Sequence, residues 1–153
     1  MLNLQHRIDL LIQLGKYIRN NDPSWQEAKQ KAAQANGWFI PGFIDIAAEN
    51  IVHNYLSEEA LQTVTNQYKI PETTLKPKTV GIVMAGNIPL VGFHDWLCVF
   101  LSGHQSRLKF SSKDSILLKH LLEKLAEWEP KIGQNTTYAE ILKGCDAYIA
   151  TGS

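Results

Sequence analysis

Residues Thr79 to Asp114 read T-V-G-I-V-M-A-G-N-I-P-L-V-G-F-H-D-W-L-C-V-F-L-S-G-H-Q-S-R-L-K-F-S-S-K-D. The apolar run Val80 to Met84 ends at Ala85-Gly86-Asn87, and Pro89 opens a segment apolar on every side. Gly103 closes that segment, a second short run covers Arg107 to Phe110, and Ser111-Ser112-Lys113-Asp114 leads into another helix. Strand, turn, buried helix, strand and polar loop make a βαβ unit. Ligands of open α/β sheets bind at the carboxyl ends of the strands, so a site is expected in these loops.

On the amino-terminal side the pattern is helical. Ile8, Leu11, Ile12, Gly15 and Ile18 recur at helical spacing from Leu4 onward. Asp22 and Pro23 suit the cap and first turn of a second helix, which Asn36-Gly37 ends. Trp38-Phe39-Ile40-Pro41-Gly42-Phe43 is an apolar connector expected to pack down. Ile44, Ala47, Ala48, Ile51 and Tyr55 mark a third helix, and Ser57 caps a fourth with Glu58 and Glu59 in its first turn. Ile70-Pro71 ends the helical part, and Glu72 to Lys78 reads as a linker.

On the carboxyl side Leu118, Leu121, Leu122, Leu125 and Trp128 form one helical stripe that Pro130 stops. Lys131 to Tyr138 fits no single period. Ile141 to Asp146 reads as a turn of helix with a corner at Gly144, before a third strand at Ala147–Ala150. The expected fold class is therefore α/β. A helical arm over residues 1–75 precedes a partial parallel-sheet, Rossmann-like domain over residues 76–153, with strands at Val80–Met84, Leu108–Phe110 and Ala147–Ala150.

Composition removes several classes of function. Fifteen basic and fifteen acidic side chains cancel, which leaves no electrostatic footprint for nucleic acid or an anionic membrane. The two cysteines lack disulfide or metal spacing, and no 18-residue apolar run offers a membrane span. A cytoplasmic protein is the expectation.

Candidate chemistry falls on the loops. At Ala85-Gly86-Asn87 small residues let a ligand approach the backbone, and the Asn87 amide suits an oxyanion donor or, more plainly, a satisfied turn. Lys109, near the end of a strand and followed by Ser111 and Ser112, suits ribose hydroxyls or a phosphate; it equally suits a snorkelling surface lysine. Asp114 either caps the next helix or accepts from a ribose. His94 and Asp95 lie close to Asn87, as pocket lining or as a self-satisfied pair. His104 reads as a turn residue, and His6, His53 and His120 as helix surface. Cys98, flanked by apolar residues, reads as a small core residue, and neither G-x-G-x-x-G nor a P-loop occurs.

The motifs G-I-V-M-A-G-N-I-P-L-V-G-F-H-D, L-S-G-H, R-L-K-F-S-S-K-D and D-A-Y-I-A-T-G-S, in this order, resemble the acyl-CoA reductase family. That family includes the fatty acid reductase of bacterial bioluminescence and is a branch of the aldehyde dehydrogenase superfamily. The segment A-Q-A-N-G-W-F-I-P-G-F also looks like the stretch before the cofactor domain of such reductases. The resemblance implies NADPH-dependent reduction of a fatty acyl-CoA or other acyl thioester to an aldehyde through a cysteine-bound acyl group. By position Asn87 matches the asparagine that holds the thiohemiacetal oxygen. Lys109 matches the lysine of the superfamily's K-P-S-E motif at the adenosine ribose, and Ser111, Ser112 and Asp114 fall in the same loop. Ala85 and Gly86 stand where many relatives carry Pro-Trp, and Phe110 replaces the proline of K-P-S-E. Thr151-Gly152-Ser153 matches the T-G-S turn that lies against the cofactor.

In that superfamily the nucleophilic cysteine follows the T-G-S turn, so the chain is expected to be an amino-terminal portion without it. A homo-oligomer is compatible with the resemblance. The other reading, of a different class, is a non-catalytic interaction module whose helical arm binds a partner; the sequence shows no second apolar stripe on the arm to favour it.

Overall fold

The computed structural model describes residues 2–151; Gly152 and Ser153 of the expected T-G-S turn lie outside the described residues. Four helices come first: α1 (Leu4–Arg19), α2 (Pro23–Ala35), α3 (Pro41–Tyr55) and α4 (Glu58–Gln67). Their starts follow the chemistry of orphan amides. The side chain of Asn3 accepts from the His6 amide, Asp22 from Ser24 and Ser57 from Ala60.

The rest alternates β1 (Thr79–Val83), α5 (Phe93–Leu101), β2 (Gln105–Lys109), α6 (Leu117–Trp128), α7 (Ile132–Asn135), β3 (Thr136–Tyr138) and β4 (Ala147–Ala150). All strands are parallel, in the order β3-β2-β1-β4. The fold is α/β, and the order is consistent with a Rossmann-like sheet whose central strand β1 lies between β2 and β4.

Several details differ from the sequence expectation. The second strand starts at Gln105, because its first half alternates exposed and buried residues and so carries no apolar run. Met84 lies just past β1, although its amide still donates to Lys109 O at 3.0 Å. The segment without a clear period holds α7 and β3. Ile141 to Asp146 contains no helix; its corner is at Gly144, where φ is +69°. The buried helix begins at Phe93, four residues after Pro89, because Leu90 takes φ +60° and breaks the turn.

The sheet has two unlike faces. Ile82 and Leu108, paired in register, are fully buried beneath the helices, with Ile149 beside them. On the other face Val83, Lys109 and Tyr148 meet solvent. There Tyr148 lies over Gly81, where a Cβ would stand 2.9 Å from its ring.

One hydrophobic cluster runs from Leu11 and Leu14 of α1 through Trp96 and Phe100 of α5 to Leu121 and Leu125 of α6. Two polar ties cross it. Arg7 of α1, 1% exposed, donates to the carbonyls of Leu2 and, at 3.1 Å, of Leu101 at the end of α5. A cation there also meets the negative end of the helix dipole. Burial lowers the pKa of this guanidinium, and Glu72 works against that shift. The second tie is Tyr17, whose hydroxyl meets Ser24 Oγ at 2.6 Å and His120 Nε2 at 2.7 Å, joining α1, α2 and α6. His120 is therefore half-buried at a helix junction rather than on a free helix surface.

The connector after α2 does not pack down as a whole. Phe39 is buried, but Trp38, Ile40 and Phe43 are 71%, 47% and 54% exposed. Among the described residues no helix is long and apolar enough to cross a membrane.

Candidate functional site at the carboxyl edge of the sheet

Register brings the expected residues to one edge. Val83 pairs with Lys109 on one side and with Ala150 on the other, so Lys109, Val83 and Ala150 form the last row of the uncovered face. Beyond this row the three strands give way to the loops that carry Asn87, Ser111 and Thr151. Lys109 is exposed, and its side chain forms no hydrogen bond or ion pair among the described residues.

The β1 and β2 loops lie against each other. A Cβ on Gly86 would stand 2.3 Å from Ser111 Oγ, 2.8 Å from Ser111 Cβ and 2.9 Å from Lys113 Cβ, so only glycine allows this approach. Ala85 is half-buried beside it, whereas Asn87 is exposed with its amide unengaged among the described hydrogen bonds. The Ser111 hydroxyl accepts from the Lys113 amide at 3.2 Å, which fixes the turn and leaves Ser112 exposed at its tip. Thr151 N donates to Val83 O at 3.3 Å and Thr151 Oγ1 to Asp95 Oδ2 at 2.6 Å, tying the end of β4 to the first turn of α5.

Asp114 departs from both of its expected roles. It does not cap α6, which has no side-chain cap, and it does not face a solvent-exposed ligand. The carboxylate is 7% exposed and accepts from the Leu90 amide at 2.9 Å; its Oδ1 has no partner among the described residues. Burial pushes its pKa up to about 6, against the lowering effect of that amide. Asp114 thus latches the loop that presents Asn87.

On the covered side of the same edge lies a groove of about 500 Å³ lined by Phe110, Ser111, Ser112, Ser115, Lys119 and Tyr138, among others. Lys119 Nζ sits 5.7 Å from the centre of the Tyr138 ring, and burial followed by Glu123 pushes the Tyr138 hydroxyl up to about 12. Sequence reasoning missed Ser115, Lys119 and Tyr138. Lys119 lies in the first turn of α6 and Ser115 two residues before that helix, so the available signal was only their closeness in sequence to Ser111 and Ser112. The edge therefore separates Lys109, on the open face, from this groove.

Cys98 overturns its core assignment. α5 is not covered all round, and the thiol is exposed 3.8 Å from His94 Nε2. Its apolar surroundings, with Asp95 adding to the effect, push the thiol's pKa up. Among the described residues no group of three or more His, Cys, Asp or Glu side chains is placed to hold a metal ion. A comparison with models of known protein families gives no match, and no curated protein matches the chain.

Proposed function

We propose that this chain carries the cofactor edge of an NADPH-dependent acyl-CoA reductase, which turns a fatty acyl thioester into an aldehyde. The observation that supports this reading is the row Lys109, Val83 and Ala150 on the uncovered sheet face, next to the loops of Asn87 and Thr151. An apolar row ending in an unpaired lysine fits an adenosine, with its ring on Val83 and Ala150 and its ribose hydroxyls on Lys109 Nζ. Ser112 extends the polar side of that row. Asp114, turned inward, does not serve the ribose.

When bound, NADPH supplies the hydride. The chain's own contribution is positional. The free Asn87 amide would donate to the carbonyl oxygen as it gains negative charge, and the Gly86–Ser111 contact and the Asp114 latch hold that loop in place before substrate arrives. A cytoplasmic enzyme with an acyl-thioester substrate goes with this reading. Titration of the chain with NADPH tests it. Lys109→Ala should weaken binding about tenfold, the worth of one charge-assisted hydrogen bond, while Asn87→Ala leaves it unchanged. Exchange of the two effects, or no binding by the unaltered chain, would overturn the assignment.

A specific observation favours a second reading as a non-catalytic interaction module. Trp38, Ile40, Phe43 and Ile46 stand 47–71% exposed at the start of α3, an apolar group on the helical arm. If Phe43→Ser and Ile46→Ser abolish self-association or partner capture while NADPH never binds, this reading replaces the first.

A further inference from the structure

The amino ends of the strands hold a pocket of about 200 Å³, at the opposite edge of the sheet from Asn87 and Lys109. Arg7, Gly103, Gln105, Lys131, Gln134 and Asn135 line it, among others, and no aspartate or glutamate does. This volume lies below the roughly 300 to 1,000 Å³ of sites for drug-sized ligands, so a small ion or the head group of a larger molecule fits. Arg7 is the innermost of these residues, while Gln105, Lys131 and Gln134 are exposed at the rim.

Arg7 is 1% exposed, yet no carboxylate stands within ion-pair distance of it among the described residues. Its terminal nitrogens donate to the carbonyls of Leu2 and Leu101, which supply partial charge only, and its Nε has no partner among the described residues. Glu72 acts on the guanidinium through space, but the Glu72 carboxylate itself accepts from the Gln5 amide at 3.3 Å. A buried ion without a counter-ion is costly, and an anion in the pocket would relieve that cost.

The rim offers further donors. Lys131 Nζ forms no hydrogen bond or ion pair among the described residues. Glu129, two residues before it, is engaged by His6 at 3.5 Å and by the Lys131 amide at 3.1 Å. Gln105 Oε1 accepts from Thr79 Oγ1 at 3.3 Å, which leaves the amide nitrogen as the open end of that side chain. Asn135 is engaged at both ends, by Thr136 Oγ1 and by His104 O, whereas Gln134 is uncommitted among the described residues. Two cations and open amides, with no acid beside them, suit a ligand with two negative charges and several accepting oxygens.

We propose that this pocket binds a phosphate group, as the free dianion or as the head of a phosphomonoester, between buried Arg7 and Lys131 at the rim, with the side-chain amides of Gln105 and Gln134 as further donors. Asn87, Lys109 and Thr151 take no part in it, so the inference stands apart from the reductase reading.

The test is a titration of nitrogen-15-labelled protein with sodium phosphate, followed by amide NMR, with chloride adjusted to hold ionic strength constant. It is run at about pH 7.5, where a phosphomonoester is doubly charged. The backbone amides of Gly103, Gln105 and Gln134 and the buried Arg7 Nε–H should shift together and saturate with a Kd of about 1 mM or below. Lys131→Ala should weaken binding about tenfold, the worth of one charge-assisted hydrogen bond. Gln105→Glu, which puts a carboxylate on the rim, should abolish it. Both residues are exposed, and unchanged resonances far from the pocket show that each variant keeps the fold. Glycerol 3-phosphate, titrated in parallel, separates the two sources. Binding at least as tight as that of phosphate identifies a phosphomonoester head, and binding of phosphate alone identifies the free ion. The proposal is overturned by shifts that do not saturate, by shifts centred elsewhere on the surface, by affinity unchanged in both variants, or by acetate binding as tightly as phosphate.

Discussion

The Asp114 carboxylate accepts the amide hydrogen of Leu90 at 2.9 Å, and Leu90 is held at φ +60°. A leucine rarely adopts that conformation, at a cost of about 1 kcal/mol or more. The bond offsets the strain and fixes the segment between β1 and α5, which includes Asn87.

Burial of this carboxylate, only partly opposed by the Leu90 amide, makes stability depend on pH. The folded pKa of Asp114 is raised from 3.8 to about 6, so the folded protein holds a proton that the unfolded chain releases between these values. The favourable contribution is fully present below about pH 4 and is lost as pH rises through about 6. The shift corresponds to about 3 kcal/mol. Asp114→Asn removes it: relative to the unaltered protein, the variant should gain about that much between about pH 4 and pH 7.5. Urea denaturation at both pH values measures the difference. His120, whose pKa burial lowers, contributes the opposite slope below its unfolded value, but it is common to both proteins and cancels. Parallel profiles would show that Asp114 is not titrating in a buried site.

Arg7→Ala should destabilise the fold by about 3 kcal/mol, because the carbonyls of Leu2 and Leu101 lose a buried donor. Arg7→Lys should recover part of this loss by reaching one carbonyl. Denaturant midpoints of the three proteins rank them. A midpoint unchanged in the alanine variant would mean that water replaces the guanidinium at no cost.

Gly86→Ala should lower stability by about 1–3 kcal/mol, since the new methyl meets Ser111 and Lys113 at less than van der Waals separation. The loops must part to admit it, so on the proposed cofactor reading NADPH affinity should fall as well. Ser111→Gly in the same chain removes the two closest atoms and should restore much of both quantities. Failure of that rescue would place the strain elsewhere.

The purified chain should show no thioester-dependent NADPH oxidation. Cys98 lines a cleft between α4 and α5 and is not at the sheet edge, and desolvation with Asp95 keeps its thiol protonated. Turnover abolished by Cys98→Ser or Cys145→Ser would show that a nucleophile is present after all. On the proposed reductase reading, Asn87→Ala should slow any form of the protein that does turn over by about 100- to 1000-fold, the effect of one oxyanion donor.

What could be read from the residues depended on where each signal is local. β1 was legible because Val80 to Met84 is an unbroken apolar run, and the caps at Asp22 and Ser57 because capping involves only neighbours. β2 hid its polar half, since Gln105 and Arg107 face away from the core, and β3 is too short to show a period. Asp114 and Cys98 were misjudged for one reason. Their surroundings are set by distant chain, the Leu90 amide and the wall of α4, and neither can be inferred from adjacent residues. Asn87, Lys109, Ser111 and Thr151 shared an edge as expected because parallel strands align their ends.

The common core beneath Arg7 also bears on how the polypeptide tolerates a break in its backbone. The segment between α4 and β1 runs along the surface, with Leu75 86% exposed, while α1 packs on α5 and α2 on α6 across the gap. A protease that cuts beside Leu75 would leave two pieces still joined by buried side chains. Expressed as separate genes, the helical piece and the sheet piece should each be poorly folded alone and should reconstitute when mixed, which makes this chain a natural template for a split-protein reporter.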